Sequence, residues 1–135
     1  MKFEMADPYN NRVRAYFVNP VHAGELHKSY SRVVTATADD RQGNTIELAA
    51  GIDGDTLQEL RFRAIACPHL IAAAEHFCER FEGRATASLQ EFDPWETVRE
   101  LQVPLGKTGR ILLLEDAIQL LRRNSGEPEQ PRTDQ

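Results

Sequence analysis

Apolar and polar positions alternate with period two over three consecutive stretches of the chain. From Leu57 to Ala66, Leu60, Phe62 and Ala64 alternate with Glu59, Arg61 and Arg63, as a strand with one face on a core and one in water requires. From Thr45 to Ile52, the residues Ile46, Leu48, Ala50 and Ile52 turn inward while Thr45 and Glu47 turn outward. Arg32 to Ala38 carries Val33, Val34, Thr35 and Thr37, a β-branched run that predicts a first strand. The turn-rich stretch Asp39–Asn44 and the tight Asp53-Gly54-Asp55 connection join the three. Short connections between successive strands predict an antiparallel meander.

The period then changes to that of a helix. Leu70, Ala73, Ala74, Phe77 and Phe81 fall on one stripe of a helix from Pro68 to Glu82, with proline at its first position and Gly83 as its stop. Ahead of the sheet, Asp7-Pro8 predicts a helix start, with Tyr9, Val13, Tyr16 and Phe17 on its apolar face. The helix must end before Asn19-Pro20. Val21 to Ser31 holds Gly24 and few apolar residues, which predicts a loop with His22 and His27 exposed. Arg84 to Glu91 predicts a brief helix. Asp93-Pro94-Trp95-Glu96 predicts a capping box at the head of a helix carrying Trp95 and Val98 to Leu101. After the link Val103–Lys107, a last helix opens at Thr108 or Gly109, with Ile111, Leu114, Ile118 and Leu121 on one face and Arg122 and Arg123 at its negative end.

The fold class predicted is α+β: a three-stranded antiparallel sheet packed on one face by helices. Residues 1–123 form a single domain on this view, and 124–135, polar and proline-bearing, a disordered tail. The net charge of −5 and the scattered pairs Arg12/Arg14, Arg61/Arg63 and Arg122/Arg123 make no basic stripe, which argues against nucleic acid as a partner. No apolar run approaches the ~20 residues of a membrane span, and the N-terminus lacks the apolar core of a signal peptide. The expectation is a cytoplasmic protein without a membrane partner.

The sequence contains no nucleophile elbow, no His-Glu-x-x-His helix and no phosphate-cradling glycine loop. Gly106-Lys107-Thr108 resembles the tail of a P-loop, but position 101, where the upstream glycine belongs, is leucine. The chain is expected not to be an enzyme. Of its two cysteines, Cys67 stands at the start of the central helix, where free N–H groups and the dipole favour negative charge. It reads either as a reactive sulfur or as a small residue filling space at a strand–helix junction. Cys78, about 16 Å further along the same helix by its rise, reads as core and is too far away to bridge Cys67. His69 and His76 are about 10 Å apart by the same measure and cannot share a metal. A mixed site of Cys67, His69 and Asp39 or Asp40 would suit zinc or iron if the first hairpin turn folds over the helix start.

In order along the chain, Tyr9…Val13…Tyr16-Phe17-Val18-Asn19-Pro20…Ala23-Gly24, then Gly43-Asn44-Thr45-Ile46-Glu47-Leu48, then Leu60-Arg61-Phe62-Arg63-Ala64-Ile65-Ala66-Cys67, then Pro104-Leu105-Gly106-Lys107 and Leu114-Glu115-Asp116-Ala117-Ile118 resemble the IscU/NifU-type iron–sulfur cluster assembly scaffolds. The likeness spans residues 9 to 123. It implies the same α+β fold and a cluster built on three cysteines, an aspartate and a histidine. It also implies sulfur delivered as persulfide by a cysteine desulfurase, and an Hsp70-type chaperone that recognises the segment matching Pro104–Lys107. On this alignment the first cysteine falls on Gln42, the aspartate on Asn44, the histidine on Gly109 and the third cysteine on Arg110. Cys67 alone keeps its place and is the one candidate cofactor-binding residue. Cluster irons or tetrahedral zinc need about four ligands, so the cluster or zinc implied by the family lacks most of its ligands here. Arg110 would set a permanent cation in the cage and favour negative charge on the Cys67 sulfur.

Three functions are therefore expected. The first is a divergent scaffold-like protein, sulfur-accepting or partner-binding through Cys67. The second is a non-metal interaction or regulatory module of the assembly machinery. The third is a small thiol enzyme using Cys67 with Arg110.

Overall fold

The computed structural model describes residues 10–126. Three antiparallel strands, β1 (Arg32–Asp39), β2 (Thr45–Asp53) and β3 (Thr56–Ile65), form one sheet in sequence order. Four helices accompany it: α1 (Asn11–Val18) before the sheet, then α2 (Pro68–Phe81), α3 (Pro94–Leu101) and α4 (Thr108–Asn124) after it. Short 3₁₀ turns at Thr86–Glu91 and Leu105–Lys107 join the later helices. The α+β meander with helices on one face is the architecture predicted.

The core lies between the sheet and α2 and α4. Ile46, Leu48, Ala50 and Ile52 of β2 are fully buried, as are Leu60 of β3, Leu70 and Phe77 of α2, and Ile111 and Leu114 of α4. At about 25 cal/mol per Å² of buried apolar surface, this two-layer packing supplies most of the drive to fold. α2 is more than amphipathic: apart from Ile71, every residue from His69 to Cys78 is buried. A helix apolar nearly all round is a helix enclosed on several sides. Here β3, α1, α3 and α4 all pack against it.

Several expectations are corrected. Asp7-Pro8 lies outside the described residues; α1 begins at Asn11, and Asn10 caps it by accepting the Val13 N–H at 2.8 Å. Asparagine is as good a cap as aspartate. Phe17, expected on the apolar stripe of the first helix, is 43% exposed. Asp93 does cap α3, through the Trp95 N–H at 3.0 Å. Glu96, however, pairs with Arg80 of α2 and does not close a capping box. α4 runs on through Asn124, whose side-chain amide donates to the Thr35 carbonyl at 2.9 Å, while Arg32 donates to the Ser125 carbonyl at 2.7 Å. These bonds carry order into the start of the expected tail.

The largest correction concerns residues 21–31. His22 is buried at 9% exposure, while His27 keeps its side chain 68% exposed. The segment runs along the free edge of β3: Ala23 bridges Phe62, the Phe62 N–H donates to the His22 carbonyl at 3.0 Å, and the Gly24 N–H donates to the Phe62 carbonyl at 2.9 Å. Tyr30 then crosses the outer face of the sheet over Gly51. A Cβ on Gly51 would sit 2.2 Å from the Tyr30 ring, so only glycine admits the ring. Gly51 pairs with Glu59 in register, and the Tyr30 hydroxyl donates to Glu59 at 2.6 Å. Glu59, expected to face water, is 4% exposed as a result.

Gly51→Ala should therefore lower unfolding stability by about 1–3 kcal/mol through overpacking, measured by urea denaturation. In a Tyr30→Ala background the same change should cost less than about 0.5 kcal/mol, because the two sites couple through contact.

Candidate functional site

The register Asp39↔Thr45 and Thr45↔Ile65 brings the β1–β2 turn and the β3–α2 junction to one end of the sheet. Cys67 sits at this junction as the N-cap of α2. Its carbonyl accepts the N–H groups of Leu70 and Ile71, its side chain makes no capping bond, and it is partly exposed. The start of α4 reaches the same place: Arg110 of its first turn lies 4.0 Å from the Asp40 carboxylate. His69, 3% exposed, sits close enough to Lys107 to feel its charge. Gln42, Asn44, Cys67 and Arg110 thus come from three segments that share one end. Gly109 is exposed, with open space where a side chain would stand.

The organiser of this end is Asp40, which sequence reasoning offered only as a possible ligand. Its Oδ1 accepts the N–H groups of Gln42 at 2.8 Å and Asn44 at 3.1 Å, and its Oδ2 accepts the Asn44 side-chain amide at 2.8 Å. An aspartate folding the chain back on itself in this way is an Asx turn. Arg41 at φ +62° and Gly43 at φ +94° allow the tight path. Burial opposes the Asp40 charge. The bonds from Gln42 and Asn44, with the Arg110 cation beyond, more than offset it and hold the carboxyl below the usual aspartate value.

The donor set does not fit a metal cage. Among the described residues no three histidine, cysteine, aspartate or glutamate side chains gather as ligands would. Asp40 spends its oxygens on the turn and on Arg110, so the mixed Cys67–His69–Asp40 site is not assembled. His69 has its pKa lowered by burial first and by Lys107 second, which favours the neutral imidazole. His76 faces elsewhere, with Nε2 2.9 Å from Glu100, and burial lowers its pKa as well. Cys78 is wholly buried, its thiol pushed far up by burial and by the nearby charges of Glu75 and Glu82. It is core, as expected.

Sequence reasoning missed a second cluster, at the far end of α2. Glu75, 1% exposed, accepts the His22 backbone N–H at 2.8 Å and lies 2.5 Å from its ring Nδ1. Glu82 lies 3.1 Å from His22 Nε2 and 3.1 Å from Arg61, which also holds Glu59 at 2.9 Å. One signal was present: Glu75 is the only charged residue between Pro68 and Cys78. A carboxylate in a helix enclosed on several sides needs a cation.

Residues 8–121 match the NifU-like N terminal domain family. The chain is 27% identical over 112 residues to the iron–sulfur cluster assembly scaffold protein IscU of Rickettsia prowazekii, covering 82% of this chain and 86% of that one. It is 27% identical over 113 residues to iron sulfur cluster assembly protein 1 of Eremothecium gossypii, a mitochondrial protein, covering 82% and 73%. The solved structure of a NifU-like N-terminal protein from Brucella abortus superposes with a TM-score of 0.67 at 16% identity, covering 89% of this chain and 95% of that one, which bears on the fold alone. No helix among the described residues is long and apolar enough to cross a membrane.

Asp40 should titrate below the usual aspartate value by side-chain NMR. Arg110→Gln should raise its midpoint yet leave it depressed, because the Gln42 and Asn44 donors remain. A midpoint unmoved by Arg110→Gln would break the link between α4 and the turn.

Proposed function

The chain belongs to the NifU-like N-terminal domain family, and on that premise we propose that it serves iron–sulfur cluster assembly by accepting sulfur on Cys67, without caging a cluster on its own residues. The observation that carries this reading is the Asp40–Arg110 pair at the end of the sheet that also holds the Cys67 junction. A guanidinium stays charged at any working pH, repels a metal cation and attracts a sulfur anion. Cys67 is partly exposed at a helix start, so a donor can reach it. Leu105 and Ile65, 88% and 75% exposed, lie on segments that frame this end and suit a protein as the donor.

The transfer is an exchange between sulfurs. The Cys67 thiolate attacks the terminal sulfur of a donor cysteine persulfide. A new S–S bond forms on Cys67, the donor's S–S bond breaks, and its electron pair leaves on the donor cysteine, which takes up a proton. No oxidant is consumed. Arg110 stabilises the anionic product, and the buried Cys78 stays a bystander. The donor class that fits is a cysteine desulfurase, and an Hsp70-type chaperone would meet the Pro104–Lys107 segment. The setting is a compartment that keeps thiols reduced, such as the cytoplasm.

Incubation with a cysteine desulfurase and cysteine under anaerobic conditions, followed by mass spectrometry, tests this. One added sulfur should appear on Cys67, none on Cys78, and none at all in Cys67→Ser. Arg110→Gln should slow loading about tenfold, the effect of losing roughly 1.4 kcal/mol of charge stabilisation. A desulfurase that binds wild type and Cys67→Ser alike without loading Cys67 would replace sulfur acceptance with a purely partner-binding role. Stoichiometric iron held by the isolated chain after reconstitution would overturn the reading altogether.

A further inference from the structure

The cluster at the far end of α2 lies outside the site just described, and its geometry constrains a proton. Both ring nitrogens of His22 face carboxylate oxygens: Nδ1 meets Glu75 at 2.5 Å and Nε2 meets Glu82 at 3.1 Å. A neutral imidazole donates from one nitrogen only, whereas the cation donates from both. The arrangement is therefore satisfied by the imidazolium. Removing its proton would leave a lone pair aimed at a carboxylate, one of them almost wholly buried, which is costly.

His22 is also where the start of the 21–31 segment joins the β3 edge, while His27 and Tyr30 hold its later part on Glu59. Its carbonyl accepts the Phe62 N–H, and Gly24 returns a bond to Phe62. Beside it, the Leu60 N–H is capped by Glu82 at 2.8 Å. The exposed edge of β3 is thus closed at Leu60 and Phe62 by groups that His22 holds in place. We propose that the start of this segment, residues 21–24, is a latch over the β3 edge, held shut by one proton on His22 and released when that proton is lost.

The groups facing this proton come from three elements. α2 contributes Glu75 and Glu82, with Cys78 beneath them. β3 contributes Arg61 and Glu59. The segment itself contributes His27 and Tyr30. Glu59 stays ionised: burial opposes its charge, but the Tyr30 hydroxyl, the His27 N–H and Arg61 hold its pKa down. Tyr30, bonded to Glu59, is pushed up to about 12, and Cys78 remains a thiol. Burial alone would lower the His22 pKa, but the bonds and charges of Glu75 and Glu82 outweigh it and raise it above 6.5. A histidine that binds its proton more tightly docked than free stabilises docking fully below the free value. It loses that stabilisation as pH rises through the docked value. The latch is therefore closed in mild acid and opens toward alkaline pH, by about tenfold in its equilibrium for each unit separating the two midpoints.

Hydrogen exchange on the full chain from about pH 6 to about pH 9, across the histidine range, tests the proposal, with protection factors corrected for intrinsic rates. The Phe62 amide should lose protection at least tenfold over that interval, with a midpoint matching the His22 ring measured by NMR, while the Leu48 amide of β2 keeps its protection. His22→Gln should show a weakly protected Phe62 amide with no pH dependence. A His22 midpoint at or below 6.5, or Phe62 protection that is flat with pH in the wild type, overturns the latch. So does His22→Gln retaining the wild-type profile. Should that variant fail to fold, the wild-type titration alone decides.

Discussion

The embedding of Glu75 in α2 is the constraint on which the outer half of the molecule depends. A carboxylate at 1% exposure cannot stay charged without a cation, and the cation is His22, brought from a segment 53 residues earlier. Once His22 is seated, Glu82 is drawn to its other nitrogen, Arg61 to Glu82, and Glu59 to Arg61. The partners come from three pieces of backbone, so satisfying one buried charge fixes the order of α2, β3 and the 21–31 segment. Burying such a network gains little net stability over apolar packing. It makes one arrangement of the segment far better than its neighbours, and that is its contribution here.

This explains where the sequence was legible and where it was not. The strands of the meander, α2 with its proline start, and α4 with its apolar stripe follow from local period and capping chemistry. They were readable to within a residue or two. The 21–31 segment lacks any period because its order is set by partners far away in sequence: Glu75, Glu82 and Phe62. A loop composition with two histidines reads as solvated unless the acid awaiting one of them is recognised first. Glu59 misled for a related reason. Alternation assigned it correctly to the outer face, but alternation cannot show that Tyr30, admitted by Gly51, covers that face.

At the other end of α2, the resemblance assigned the cluster positions to Gln42, Asn44, Cys67 and Arg110, and these share one end of the sheet. What it could not show is how the β1–β2 turn holds its shape. The turn is closed by Asp40 folding back on Gln42 and Asn44, a signal visible in the run Asp-Arg-Gln-Gly-Asn but overshadowed by the search for ligands. Arg110 then breaks a local rule. A cation in the first turn opposes the helix dipole, and departures of this kind concentrate where structure answers to function. Its ion pair with Asp40 compensates only in part, because the contact is long at 4.0 Å.

The two ends of α2 differ in how their partial charges are met. Arg80 stands in its last turn, and Arg61 and the His22 cation lie near Glu82 at its C-cap, so the negative end has cations around it. The first turn carries no acidic residue, nor does the first turn of α4. Lys107 and Arg110 add two further positive charges beside them. Of the carboxylates at this end, Asp40 is the one paired with Arg110, and three of its hydrogen bonds are spent on its own turn. With Arg41 and Asp39 of the β1–β2 turn included, three cations and two helix starts face two carboxylates at this end, an excess of positive potential that favours any anion brought to it. The persulfide proposed for Cys67 would be such an anion, placed at the helix start itself.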